Sequence, residues 1–218
     1  MAQRRTARGP LSRGEIVDAA LAFAEEAGLQ ALSLHKVADR VGVRTMSLYR
    51  YVRDKDDLLD AMGDAVLAAM TVPEVESMTW EEALAALASA FRAAVRAHPH
   101  AAPLLLTRRI NAPASLPMVE ATLKVLTSQG LSAQEAVHVL RVYIAFLIGT
   151  LLREVGTAPT YASDSSALSV GSPDALADSG FPLVADAATE LSVCDHEAEM
   201  KFGLAMLTAA LRERLGAS

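Results

Sequence analysis

The feature that most constrains this chain is the run from Leu32 to Met62, in which two short amphipathic segments are separated by a glycine. Ser33 precedes the first segment, whose apolar residues recur at helical spacing, so Ser33 is expected to cap a helix. Gly42 is expected to end that helix, because glycine adopts positive φ without steric cost. A second short helix is predicted from Arg44. This spacing is typical of a helix-turn-helix unit.

The outer face of the second helix carries basic, hydroxyl and aromatic side chains, which suit DNA. Arginine can donate two hydrogen bonds to guanine, the methyl groups of threonine and methionine contact thymine, and tyrosine and lysine bind phosphate oxygens. The alternative interpretation is a plain solvated face with the tyrosines in the core. The spacing of turn, short helix and capped following helix favours binding in the major groove. The residues predicted to face outward are Arg44, Thr45, Ser47, Arg50 and Tyr51.

A resemblance to the tetracycline-repressor (TetR) family of transcriptional regulators is densest in the run LYRYVRDKDDLLDAM, Leu48 to Met62. The resemblance implies that Tyr49 and Lys55 contact backbone phosphates. It also implies that Ser33 and His35 reach DNA from the start of the preceding helix. It further implies that the exposed residues of the second helix contact the bases. These residues are Arg44, Thr45, Met46, Arg50 and Tyr51. The expected partner is a double-stranded DNA operator.

Charge is divided unevenly along the chain, whose net charge is −6. Residues 1–55 contain 10 Lys and Arg against 6 Asp and Glu, whereas the remaining residues contain 10 against 20. The basic surface is therefore predicted to coincide with the helix-turn-helix. The first residues contain Arg4, Arg5 and Arg8 and little that could pack. They are either an arm that binds phosphates or the minor groove, or a tail that only aids solubility.

The remainder of the chain has the signals of an all-α protein and no strand pattern. A length of 218 residues with 52% hydrophobic residues can bury a core well beyond a small head. Capping boxes of the form S/T-x-x-E begin at Ser12, Thr79 and Ser132. The predicted fold is an N-terminal three-helix DNA-binding domain followed by a larger helical ligand-binding and dimerisation domain.

The helix-capping and helix-ending residues along the chain also predict its domain boundaries. Residues 1–53 are expected to form the arm and helix-turn-helix, 54–78 a connector helix and linker, and 79–218 the second domain. The connector is expected to start at Asp54 and to end at Pro73. In the TetR family a ligand in the second domain tilts this helix and releases DNA. Helices are predicted at about 12–27, 33–40, 44–50, 54–71, 79–97, 101–109, 116–129, 132–155, 181–193 and 196–214.

The second domain resembles the C-terminal domain of the tetracycline repressors in the Trp80 helix, in Ala90–Pro99 and in Gln129–Gly149. Tetracycline repressors bind a magnesium-tetracycline chelate through histidine, asparagine and glutamate side chains. The matching positions here are apolar or small, among them Thr71 and Leu87, so tetracycline is not the expected ligand.

An apolar cavity for a hydrophobic, drug-like or metabolite molecule is expected instead. The alternative interpretation is ordinary core packing, because apolar stripes at helical spacing are usually core. The candidate lining residues are Met70, Leu84, Leu87, Phe91, Leu105, Met118, Tyr143 and Leu147.

A homodimer is expected through helices 132–155 and 196–214. The first of these is apolar on nearly its whole circumference, so a partner chain is expected to cover it, and Gly149 and Gly203 would allow a close backbone approach. The segment 156–180 is long, small and polar. It is predicted to be either a disordered linker or a mobile cover over the ligand entrance.

Other chemistries find little support in the sequence. Cys194 is the only cysteine, so no internal disulfide or thiolate zinc cage can form, and its acidic neighbours favour a packed cysteine over a redox sensor. His98 and His100, with Pro99 between them and no nearby carboxylate, are expected to be surface histidines. No metal or cofactor is predicted, and no motif of an enzyme is present.

The sequence also bears on localisation. The N-terminus lacks the apolar segment of a signal peptide, and the longest apolar run, Val142 to Leu152, has about half the length of a membrane span. A cytoplasmic protein without a membrane segment is expected. The leading hypothesis is a homodimeric repressor that a small apolar or drug-like ligand releases from a palindromic operator. The alternative is a helical small-molecule-binding module with constitutive DNA binding or a protein-interaction role.

Overall fold

The computed structural model describes residues 11–107, 113–156 and 173–216, and the regular elements in these ranges are all helical. The predicted all-α class is therefore confirmed. The chain divides into two compact units. One consists of the residues up to Met70 together with Ala94–Leu116, and the other of Thr71–Ala93 together with the residues from Pro117 onward. The proposed arm with Arg4, Arg5 and Arg8 lies outside the described residues.

The helices are α1 Arg13–Ala27, α2 Leu34–Val41, α3 Thr45–Leu48, α4 Lys55–Ala68, α5 Trp80–Ala97, α6 Ala102–Thr107, α7 Leu116–Ser128, α8 Ala133–Glu154, α9 Pro173–Ala177, α10 Pro182–Asp186, α11 Ala188–Ser192 and α12 His196–Gly216. Short 3₁₀ turns precede α2 and α7.

The first unit is built around a core shared by α1, α2, α3, α4 and α6. α1 begins with the predicted capping box, in which the Ser12 hydroxyl accepts from the backbone N–H of Glu15 and the Glu15 carboxylate accepts from that of Ser12. The fully buried side chains of this core include Ile16, Val37, Leu48, Val52, Leu58 and Met62. The side chains of Leu48 in α3 and of Val52 after it point into this core, so the opposite side of α3 faces outward.

The second unit packs α7, α8, α12 and the greater part of α5 around a separate core. The Ser132 capping box starts α8, and Arg214 from the end of α12 also binds Glu135. These bonds, from the Arg214 guanidinium and then from Ser132, lower the pKa of Glu135 to about 2. By length and composition α8 could cross a membrane, a criterion that core helices also meet. Tyr143, Leu147 and Leu151 of α8 are buried within the chain.

Three helix boundaries differ from those predicted. α3 has only four residues, Thr45–Leu48, and a turn follows it. α4 ends at Ala68 and not at Pro73. The N–H of Ala69 still bonds back four residues to Ala65, but that of Met70 bonds to Leu67 three residues back, and Pro73 disfavours helical geometry at the residue before it. The helix predicted at 181–193 is two short helices, α10 and α11. Its apolar side chains are largely exposed, so no core face supports a continuous helix.

Part of the segment 156–180 is helical and so differs from a linker that is disordered over its whole length. Residues 173–177 form α9, whose Leu176 is buried. Residues 157–172 lie outside the described part of the chain.

Candidate functional site

The turn between α2 and α3 is fixed by backbone hydrogen bonds. Ser33 caps α2 by accepting from the N–H of Lys36, and Gly42 ends it in the left-handed region with φ 74°. The N–H of Val43 then bonds to Ala38 at 3.0 Å. Because a side chain at residue 42 would be strained, the glycine is what allows α3 to leave at this angle. The predicted helix-turn-helix is therefore present.

The structure places the ten predicted DNA-contact residues along one stretch of the first unit, with different exposures. His35, Arg44, Met46, Tyr49, Arg50 and Lys55 are exposed, whereas Ser33, Thr45, Ser47 and Tyr51 are half-buried. Met46 is 76% exposed, on a helix whose Leu48 is fully buried. Tyr51 was expected to face outward, but it packs against the core beside Val52, because the turn after α3 redirects the chain.

The basic residues of this unit differ in their partners. Arg13 and Arg53 bind Asp57, and Arg40 binds Glu26 through two hydrogen bonds, one of 2.7 Å. In contrast, Arg44, Arg50 and Lys55 have no acidic partner within 4 Å among the described residues. These three cations sit on or next to α3, whereas Lys36 of α2 donates to the carbonyl oxygen of Ala31 and lies over the Phe23 ring. Such cations are available to phosphates or base edges.

Asp57 joins three parts of the first unit. Its carboxylate accepts from the Arg13 guanidinium at 3.0 and 3.2 Å and from the backbone N–H of Arg53 at 2.8 Å. Arg13 also donates to the carbonyl oxygen of Tyr51. The Arg13 guanidinium and then the Arg53 N–H hold the pKa of Asp57 well below its ordinary value. This network fixes the turn that carries Tyr49 and Lys55, and it was missed because Arg13 and Asp57 are far apart in sequence.

We expect Asp57→Asn to reduce stability by about 1–2 kcal/mol at neutral pH, because it removes a charged acceptor of several hydrogen bonds, one partner of which is largely exposed. A carboxyl whose folded pKa lies below its unfolded value of about 3.9 contributes stability above that pH and loses it as the pH falls. Denaturant unfolding of the variant should therefore depend less on pH below about 4 than that of the wild type. Asp54→Asn is the matched control, since asparagine also caps a helix. An equal effect of both changes would contradict the role of Asp57.

The proposed ligand-binding residues are divided between the two units. Leu84, Leu87, Phe91, Met118, Tyr143 and Leu147 belong to one apolar cluster of the second unit. Met70 and Leu105 belong to the first unit. Phe91 and Met118 are half-buried, and the hydroxyl of Tyr143 lies 3.0 Å from that of Thr208. Desolvation raises the pKa of Tyr143.

An ion pair beside this cluster was not found from the sequence. Arg92 of α5 donates to both carboxylate oxygens of Glu154 of α8, at 2.9 and 2.8 Å. Its third nitrogen contacts Glu197 of α12 at 3.3 Å. The side chains of Arg92 and Glu154 are each only 12% exposed. The contact with Glu154 is the main reason that the pKa of Arg92 is raised.

One smaller expectation is corrected. A carboxylate does approach the histidine pair, because α1 brings Glu25 to 3.8 Å from His98 Nδ1 and 3.6 Å from His100 Nδ1. The described residues nevertheless hold no group of three His, Cys, Asp or Glu side chains suited to a metal ion. Cys194 is half-buried, and its Sγ lies 3.7 Å from Arg153 and 3.5 Å from His196.

Comparison with known proteins agrees with this geometry. Residues 16–62 match the family model described as bacterial regulatory proteins, tetR family, and residues 72–215 match that of the tetracyclin repressor-like C-terminal domain. The chain is 31% identical over 207 residues to the class A tetracycline repressor from transposon 1721 of Escherichia coli, covering 94% of this chain and 92% of that protein. It is 35% identical over 150 residues to the HTH-type transcriptional repressor DrrR1 of Streptomyces coeruleorubidus, and this match covers 56% of that relative.

Solved structures show the same fold. Apo ActR from Streptomyces coelicolor superposes with a TM-score of 0.84 at 26% identity, covering 97% of this chain and 99% of that one. ActR in complex with actinorhodin gives 0.79 at 26% identity, covering 95% and 100%.

The glycine turn, the capped α2 and the exposed side chains on and beside α3 define a helix-turn-helix regulator with a helical C-terminal domain. Because one family model covers most of the chain and a second covers the helix-turn-helix, the chain belongs to the TetR family of bacterial transcriptional regulators.

Proposed function

We propose that this protein is a homodimeric transcriptional repressor that leaves a palindromic DNA operator when a small apolar or drug-like molecule binds. The observation that carries the proposal is a set of three exposed cations, Arg44, Arg50 and Lys55. They have no carboxylate partner in the described residues and lie on or next to the four-residue helix α3. In contrast, Arg13, Arg40 and Arg53 of the same unit are paired with acids. The family supplies the regulatory role.

The proposed contacts follow from exposure and chemistry. Arg44, Met46 and Arg50 are exposed on or beside α3 and are assigned to base edges, together with the half-buried Thr45. Tyr49 and Lys55, at the turn and at the start of α4, are assigned to phosphates. Ser33, Ser47 and Tyr51 are half-buried, so their contacts with DNA are made through the exposed edge of each side chain.

Two faces of the second unit support an isologous dimer. α8 exposes His138, Val142, Ala145 and Gly149, which recur every three or four residues along one side. α12 exposes Phe202, Ala205, Met206 and Ala209 in the same way. Phe202 is 67% exposed and Met206 58%, which is costly for a chain that stays alone. A second copy that covers these faces would form a four-helix interface and place two α3 helices on successive half-sites.

The two glycines thought to allow close approach have different surroundings. A Cβ on Gly203 would lie 2.3 Å from the Phe146 ring of the same chain, so this glycine serves packing between α12 and α8 within one subunit. Gly149 has open space around it and remains available to a partner.

We expect Phe202→Glu to convert the dimer to a monomer, because a charge would be buried at the interface without a partner. Sedimentation equilibrium at micromolar concentration should show the mass of one subunit, with an unchanged helical circular dichroism spectrum. Leu116→Glu places the same charge on another exposed apolar residue, 54% exposed against 67% for Phe202, and should leave the dimer intact. A dimeric Phe202→Glu variant would exclude this interface.

The effector is proposed to enter the apolar cluster of the second unit. Structures of ActR are in complex with actinorhodin or with (S)-DNPA, so a protein with a similar fold binds ligands of this kind. The polar magnesium-chelate ligands of the tetracycline repressors have apolar or small counterparts here, and we propose a ligand other than tetracycline. No cofactor or catalytic role is assigned, and the proposed location is the cytoplasm, where the operator is.

The test is selection of DNA from a random pool by the purified protein, followed by titration of the selected duplex at several salt concentrations. We expect a palindromic sequence and a steep loss of affinity with salt, because several phosphates are neutralised in each half-site. Small molecules are then screened for release of the labelled duplex. Equal binding to selected and scrambled duplexes would refute the proposal.

A further inference from the structure

The side chain of His35 connects the two helices of the helix-turn-helix. His35 lies in the first turn of α2, and its Nδ1 is 3.1 Å from the hydroxyl of Thr45, the first residue of α3. The other ring nitrogen, Nε2, is 3.4 Å from the carboxylate of Asp39 one turn further along α2. The histidine side chain is 74% exposed, yet both of its nitrogens face polar groups of the protein.

The neighbours of the ring indicate how its hydrogens are arranged. A carboxylate can only accept a hydrogen bond, so Asp39 favours the hydrogen on Nε2 of the neutral ring. Nδ1 is then an acceptor, and the hydroxyl of Thr45 donates its single hydrogen to it. This bond selects one rotamer for a side chain whose branched Cβ already limits its freedom.

The geometry points to His35 as a positioning residue and not a DNA contact: it holds Thr45 so that Thr45 reads one base pair in each half-site. This inference rests on the proposed function and assigns a division of labour within that site. With its hydrogen directed at His35, Thr45 offers DNA a methyl group and hydroxyl lone pairs. These suit the methyl of thymine or the amino group of adenine or cytosine, and they cannot donate to guanine O6.

A direct contact from His35 would cost it one of its present partners. A phosphate oxygen needs an N–H donor, and the one N–H of the neutral ring is directed at Asp39. Reaching DNA would therefore break the contact to Asp39 or to Thr45. The family position that the resemblance assigned to DNA contact thus has a structural partner inside this protein.

The experiment uses the full-length dimer and the operator selected by the wild type. Affinities for every single-base variant of one half-site are measured for wild type, His35→Ala, Thr45→Ala and the double variant. We expect His35→Ala and Thr45→Ala to weaken discrimination at the same base pair, each by about three- to tenfold. The double variant should lose no more than Thr45→Ala alone, because the histidine acts only through the threonine.

Two conservative variants make the test specific. The amide of asparagine reaches the position of Nδ1, so His35→Asn should restore discrimination at least in part. The amide of glutamine reaches the position of Nε2 and not that of Nδ1, so His35→Gln should behave like His35→Ala. Thermal unfolding of each variant shows whether the fold is kept, and a merely structural role would not give this pattern between asparagine and glutamine.

Three results would overturn the inference. The first is loss of discrimination at different base pairs for His35→Ala and Thr45→Ala, and the second is multiplication of their effects in the double variant. The third is an equal loss on all sequences with a salt slope reduced by about two, one for each subunit of the dimer, which is the signature of a phosphate contact by His35 itself. If the wild type selects no sequence at all, the proposed function fails and this inference fails with it.

Discussion

Replacement of both Arg44 and Arg50 by alanine should lower the affinity for the selected operator by about 100-fold or more, because each arginine that contacts a guanine contributes about 1–3 kcal/mol of discrimination. Both side chains are exposed and neither has a carboxylate within 4 Å among the described residues, so the fold should not be affected. Titration of a labelled duplex by fluorescence anisotropy measures the loss. Binding to a scrambled duplex should fall much less, since phosphate contacts by Tyr49 and Lys55 remain.

The matched control is the double variant Arg40→Ala and Arg53→Ala, which also removes two positive charges from the first unit. These arginines bind Glu26 and Asp57, so their loss should reduce stability while operator affinity falls less than tenfold. A similar loss of affinity in the two double variants would mean that net charge alone governs binding. In that case the assignment of Arg44 and Arg50 to base edges would be wrong.

Local signals explain why so much of the helix-turn-helix could be predicted. A serine cap, a glycine in the left-handed region and an apolar stripe each depend on residues within a few positions of one another. Ser33, Gly42, Leu48 and Val52 are therefore where the sequence indicated. The capping boxes at Ser12 and Ser132 succeed for the same reason.

Long-range pairing explains what could not be predicted. Arg13 and Asp57 are 44 residues apart, and Arg92 and Glu154 are 62 apart, so no local pattern links them. Tyr51 was assigned to the surface by continuing the helical spacing of residues 44–50, but α3 ends at Leu48. The chain turns there, and a turn changes which side chains face the core.

The ligand site shows a different limit. The sequence marks apolar residues but does not distinguish those that line a cavity from those that only pack. Six of the eight candidate lining residues lie in one apolar cluster, which is expected both for a ligand cavity and for ordinary core packing. The polar group next to them, Arg92, was not singled out, because an arginine beside an apolar stripe has the pattern of a solvated residue until its partners are known.

We expect Arg92→Ala to destabilise the protein by about 3 kcal/mol, because it leaves the largely buried Glu154 without its two guanidinium hydrogen bonds. For a chain of this size the melting temperature should fall by roughly 6–12 °C, as measured by circular dichroism at fixed protein concentration. The lost hydrogen bonds and ion pairs belong to the second unit, whereas the proposed DNA contacts belong to the first. Operator binding by the folded protein at low temperature should therefore be largely retained.

The control compares this pair with an exposed one in the same unit. Arg212 binds Glu81 at 3.1 Å with side chains 64% and 30% exposed, so Arg212→Ala should cost less than about 1 kcal/mol. Replacing Arg92 by methionine and Glu154 by leucine together should recover much of the loss, since no charge then remains buried without its partner. If the double variant is as unstable as Arg92→Ala, the cost lies in the lost contact itself. If Arg212→Ala is equally destabilising, burial does not explain how much the Arg92–Glu154 pair stabilises the protein. The proposed role of Arg92 in joining α5, α8 and α12 would then be wrong.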